Sequence, residues 1–209
     1  MRNLSRTEIK KAIAKDAWDL GNEVLYKLCS AHPFHKTKQE IIAKIWLIGR
    51  SYAAALERRK NKDDGPAGDL FYEDKVVSEI KASQIDTWLV LLKNTSKPES
   101  IIETHSKLTE LFYSISELEK RSLASKYLHF HRPNLFFIFD SRAMKAIRKI
   151  TPSASNQLPD LSPSEFDKEY MRFYRRCLWL QSDLQNRIGI SLSPRQIDKV
   201  LLFVADGGK

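Results

Sequence analysis

SLASKYLHFHRPNLFFIFDSRAMKAIRKI, residues 122–150, is the stretch on which the fold turns. Its first part continues a helix expected over Leu118 to His131, which Pro133 stops. An apolar run, Leu135 to Phe139, then ends in one carboxylate, Asp140. A second helical pattern begins at once and carries Arg142, Lys145, Arg148 and Lys149. Asp directly before a helix is a preferred N-cap, because its oxygen accepts from the first free amides and adds typically ~1 kcal/mol. Capping alone does not explain the apolar approach. A carboxylate placed at the end of Phe-Phe-Ile-Phe is partly shielded from water, so it acts strongly on any positive charge developing beside it.

The surrounding charge is concentrated. The chain of 209 residues has a net charge of +9, yet residues 120–150 hold eight Lys and Arg against the single acid Asp140, leaving the remainder at +2. A local excess of this kind favours a polyanionic partner, since each neutralised phosphate releases counterions. The plain alternative is a solvated basic face on a helical adaptor protein. An apolar fraction of 42% is enough for one core. No stretch approaches the roughly 20 apolar residues of a membrane helix, and the opening MRNLSRTEIKK is too polar for a secretory signal. A soluble, cytoplasmic protein is expected. Cys29 and Cys177 are too few for a four-cysteine zinc site or an iron–sulfur cluster. His129 and His131 diverge by about 200° on a helix and have no carboxylate nearby to complete a metal set. No metal or other cofactor is expected.

Helical periodicity governs the rest of the chain. Ile41, Ile42, Ile45, Trp46, Ile48, Gly49, Tyr52, Ala53 and Leu56 recur at three-and-four spacing, with Trp46 on the apolar stripe. Pro98 suits the first position of a helix running through Ile101, Leu108 and Ile115. Ser162-Pro163 reads as the cap of a long amphipathic helix through Tyr170, Phe173, Tyr174 and Cys177. Ser193-Pro194 reads as the start of another, with Ile197, Val200, Leu201 and Val204 on its buried face. Residues 57–72 and 151–164 gather charge, Gly, Pro and Ser and are expected as exposed loops. With Gly 7 and Pro 8 in the chain, a turn-rich β architecture is disfavoured. These patterns predict an all-α protein of about eight helices, forming a single domain over 1–209.

Residues 122–150 also resemble the second half of the signature of the helix-hairpin-helix DNA glycosylases. Ala124 matches a helix alanine of that family, and FFIFD matches its turn, with Asp140 in the place of the catalytic aspartate. Upstream, IWLIGRSYAAALERR (45–59) is similar to the family's Leu-Ser-Gln-Gln-Thr helix, Gly49, Arg50 and Ser51 standing at the Gln-Gln-Thr positions. The departures are specific. The family's glycine hairpin is replaced by SELEKRS (116–122), and its four-cysteine cluster loop is absent. A turn without glycine cannot approach a phosphate as closely with its backbone, so DNA anchoring would fall to side chains such as Arg121, Ser122 and Lys126.

The resemblance implies two lobes with a cleft, DNA as partner, and hydrolysis of the N-glycosidic bond of a base flipped from the stack. Asp140 would stabilise an oxocarbenium-like sugar and activate water. Bifunctional members add a lysine about nineteen residues before the aspartate, to act as an amine nucleophile. Here that position is Arg121, which cannot attack as an amine. Lys120, one residue earlier, is the lyase candidate, and a monofunctional enzyme is favoured. Arg142, Lys145 and Arg148 are expected at the DNA, and Arg50, Tyr52 and Trp46 near the base pocket. The altered probing helix leaves room for substrates beyond common oxidative lesions, such as bulky modified cytosines of phage DNA, in repair or in defence. A DNA-binding module that kept the fold and lost the chemistry remains the alternative.

Overall fold

The structure, a computed structural model, describes residues 1–60, 68–95, 97–161 and 167–208. It is all-helical, with no strand among the described residues. Ten α-helices follow in order: α1 (Arg6–Ala12), α2 (Asp19–Ala31), α3 (Lys38–Ser51), α4 (Val77–Ala82), α5 (Ile85–Leu91), α6 (Pro98–Ser116), α7 (Arg121–His131), α8 (Ser141–Ile150), α9 (Lys168–Ile188) and α10 (Pro194–Ala205). None of the described helices is long and apolar enough to cross a membrane.

The ends of these helices are set by local chemistry. Ser5, Thr37 and Ser193 each accept from the amide three residues on, and Glu8, Glu40 and Gln196 reach back to close the capping box. Pro98 and Pro194 occupy first-turn positions, where a missing N–H costs nothing. Helix α9 begins later than expected. Asp167 is its N-cap, accepting from Glu169 and Tyr170, while Ser162 and Pro163 lie outside the described residues.

Both segments expected as exposed loops contribute to the core. In the first, a π-helical turn, Phe71–Val76, runs into α4 and buries Phe71 and Tyr72. In the second, Thr151, Leu158 and Leu161 are buried around a short 3₁₀ turn. Residues 61–67 and 162–166 of these segments lie outside the described ones.

Helix α7 is the axis of the molecule. It pairs with α6 as a hairpin and also packs on α2 and α3, while α8 lies against α9 and α10. Every residue from Leu123 to His131 is buried. One continuous cluster of apolar side chains extends from Leu4 to Val204 around it. The turn between α6 and α7 closes without glycine because Glu117 itself takes the left-handed conformation, φ 57°. The turn carries Glu117 and Glu119 beside Lys120 and Arg121, and Glu119 is paired with Arg121.

Candidate functional site

Phe136 to Phe139 are buried in a segment outside any helix, with no strand among the described residues to pair with. Buried backbone groups must nevertheless be bonded. Side chains of α7 and α9 do this. Ser125 Oγ accepts from the Phe139 amide at 2.9 Å, and its single proton faces the carbonyls of Ser122 at 3.0 Å and Phe139 at 3.3 Å. His129 Nδ1 bonds to the Phe136 carbonyl at 2.7 Å, Tyr170 OH donates to Phe137 at 3.1 Å, and Tyr174 OH donates to Leu135 at 3.2 Å. Buried polar residues of α7 and α9 thus act as partners for a segment outside any helix, and the segment delivers Asp140 to the start of α8.

Asp140 is the N-cap of α8. Its Oδ1 accepts from the Ala143 amide at 2.8 Å. Its Oδ2 lies 3.4 Å from Lys126 Nζ, with the Asp140 side chain 31% exposed and that of Lys126 only 1%. Lys126 also donates to Ser122 Oγ at 2.7 Å and to the Phe139 carbonyl at 3.2 Å, and sits 5.6 Å above the Tyr52 ring. Burial holds the Lys126 ammonium below its ordinary pKa, opposed by the charge of Asp140.

Further polar groups extend this cluster. Asp198, buried on α10, is pushed up to about 6 by desolvation, with Arg195 and Lys126 pulling it back down. Arg195 forms an ion pair with it. Tyr52 OH donates to Asn22 Oδ1 at 2.6 Å, and Tyr26 OH bonds to His129 Nε2 at 2.6 Å. Five helices therefore meet in one charged, largely dry cluster, with Asp140 at its solvent side. The cavities of about 610 Å³ and 340 Å³ that adjoin Tyr26 and Arg195 do not include Asp140 in their walls.

The expected site residues divide. Asp140, Ser122, Lys126 and Tyr52 come together. Lys126 is a correction: burial makes it the partner of Asp140, where a solvent-facing phosphate contact was expected. Lys120 turns away. Its Nζ donates to the carbonyls of Ala55 at 3.0 Å and Arg58 at 2.5 Å, and burial together with Arg58 lowers its pKa to about 8. Arg121 is held by Asp167 at 2.6 Å, Glu169 at 3.5 Å and Glu119, so its charge is locally matched by acids. Arg142 is exposed and paired with Asp206 at 2.5 Å. Lys145 and Arg148 are exposed on α8 and have no ion pair among the described residues.

Trp46 is also a correction. It lies 43% exposed at the edge of the apolar stripe, with Arg50 beside its ring at 6.0 Å and Glu57 paired to Arg50. Among the described residues, neither is bonded to the cluster around Asp140. Gly49 earns its place differently: a Cβ there would stand 3.2 Å from the Ala55 Cα, so the glycine lets residues 52–56 fold back onto α3.

Asn22, Tyr26, His129, Arg195 and Asp198 were not legible as site residues. The one sequence signal was Asp198 beside Ile197 on the apolar face of α10, a charge where the periodicity wants burial. Among the described residues no group of three or more His, Cys, Asp or Glu could hold a metal ion. His131 is buried with neither ring nitrogen bonded, lying against His35 and Tyr127. No family model, curated protein or solved structure matches the chain.

Proposed function

We propose that this protein is a DNA N-glycosylase of the helix-hairpin-helix kind, monofunctional, with Asp140 as the catalytic carboxylate. The observation that carries the reading is the succession of the α6–α7 hairpin, a buried segment outside any helix and an N-cap carboxylate that stays partly open to solvent. In the reaction the bond from the sugar C1′ to the base nitrogen breaks, and its electron pair leaves with the base. Asp140 offsets the positive charge that develops on the sugar. Water then adds to C1′ and its proton passes to Asp140. Lys126 positions the carboxylate through Oδ2. Modified bases, including the bulky cytosines of phage DNA, are the substrate class to test first.

Hydrolysis without lyase chemistry is supported by the engagement of Lys120 with two carbonyls. Its lowered pKa favours a second reading in which it attacks as an amine. The bonds of Asp140 to Ala143 and Lys126, together with the glycine-free hairpin turn, favour a third, a DNA-binding module without activity. One experiment separates them. The parent and Asp140→Asn are incubated with a panel of lesion-containing, methylated and glucosylated DNAs, and free base is measured with and without borohydride trapping. Base release by the parent alone, with no trapped adduct, is expected. A trapped adduct that Lys120→Ala abolishes would establish the lyase. A parent that binds but releases nothing from any DNA would leave only the binding module.

A further inference from the structure

The hairpin turn between α6 and α7 has no glycine and its Arg121 is matched by acids, while a different face of the molecule gathers arginines. Arg172, Arg175 and Arg176 project from one side of α9, at three-and-four spacing, and Arg148 faces them from α8. Together with Met144, Ser153 and Leu158 they line a cavity of about 200 Å³. A second cavity of about 470 Å³ adjoins it, shares Met144, Arg148 and Arg172, and adds Lys168 and Arg121.

Like charges at this spacing on a helix repel one another, so the arrangement is unfavourable unless something negative occupies it. Among the described residues lining the first cavity there is no carboxylate. Asp167 and Glu169, at the second, are already paired with Arg121. Two of the arginines are held in place by hydrogen bonds. Arg175 Nε donates to the Pro159 carbonyl at 2.6 Å, and Arg176 donates to Thr151 Oγ1 at 2.6 Å and the Pro152 carbonyl at 2.7 Å. Arg148 and Arg172 are exposed and make no hydrogen bond or ion pair among the described residues. Burial and the neighbouring Arg148 and Arg175 lower the pKa of Arg176, the electrostatic cost of this crowding.

The geometry points to the α8–α9 groove as the seat of consecutive backbone phosphates of a DNA strand, gripped by Arg148, Arg172 and Arg176. The first cavity is smaller than the 300–1,000 Å³ typical of small-molecule pockets, so it fits a single phosphate group rather than a whole nucleotide, and the second continues the path. Arg148 lies eight residues after Asp140, roughly 12 Å along the helix axis. A strand anchored in the groove passes the start of α8 within a few nucleotides. The inference rests on the reading of this protein as one that acts on DNA.

The test uses the full chain with Arg148→Ala/Arg172→Ala, two exposed side chains without structural bonds, and Lys10→Ala/Lys81→Ala as a charge-matched control elsewhere. Circular dichroism and thermal melting establish that all are folded. Binding of a fluorescent single-stranded oligonucleotide is followed by anisotropy from 0.05 to 0.3 M salt (about this range, following the counterion-release analysis). Losing two phosphate contacts should lower the salt slope by about 1.4 and weaken binding about 25-fold near 0.1 M salt, with the control unchanged. Equal losses in both double variants, or parental binding by the groove variant, would overturn the inference, as would a parent that binds no DNA. Competition with inorganic phosphate separates sources: displacement of the oligonucleotide at low millimolar phosphate would mean a free-anion site and defeat the strand reading. Because base release is not measured, groove-dependent binding stands even where the glycosylase reading fails.

Discussion

Removing Lys126 tests whether the pair with Asp140 is a coupled unit. The perturbation is a double-mutant cycle of Lys126→Met, Asp140→Asn and the combination. Methionine keeps the unbranched stem of the lysine, and asparagine keeps the cap bond from Ala143, since Asn and Asp cap about equally well. The cycle therefore isolates the charge interaction. At the 3.4 Å separation, two unit charges attract by about 5 kcal/mol in an effective dielectric of 20 and about 1.2 kcal/mol in water. Lys126 is 1% exposed and Asp140 31%, so water screens one side of the pair. A coupling of about 1–3 kcal/mol between those limits is expected, read from urea unfolding at pH 7. The pH dependence adds a signed check. The folded-state pKa of Lys126 is lowered from 10.5, so folding disfavours the ammonium. That penalty is present below the folded pKa and is relieved as pH rises from there to 10.5. The parent should gain stability across this alkaline window relative to Lys126→Met. A coupling below about 0.5 kcal/mol, within the scatter of additive distant sites, together with parallel pH profiles, would show that the two charges do not act as one unit.

Two other measurements probe the supports of the site. Ser125→Ala removes the hydroxyl that accepts from the Phe139 amide, leaving that buried amide without a partner. A loss of about 1–3 kcal/mol in chemical denaturation is expected, and an unchanged midpoint would mean the segment before α8 is held otherwise. Asp198 behaves opposite to an ordinary carboxylate, because its pKa is raised from 3.8 to about 6. Its penalty is present above pH 6 and is relieved as pH falls from there to 3.8. The urea midpoint of the parent should rise on acidification through that window relative to Asp198→Asn, and parallel profiles would contradict the assignment.

The sequence by itself determined what is local. Three-and-four spacing made the chain helical, Pro98 and Ser193-Pro194 marked where helices start, and Asp140 stood before α8 as a cap. These depend on a residue and its neighbours within one turn, so they survive without knowledge of the rest. Packing decided the remainder. Trp46 belongs to an apolar stripe yet lies at its edge, because the position of α7 and the π turn sets which part of that stripe is covered. Lys126 and Arg121 were expected at DNA phosphates, and Ser125 gave no signal. They are buried or paired because a buried segment outside any helix, and the acids of α9, must be satisfied across the molecule. A buried polar group finds its partner far along the chain. Only the tertiary structure can bring Asp198 and Asn22 into one cluster with Asp140, where desolvation and neighbouring charge, absent from any local pattern, set the chemistry.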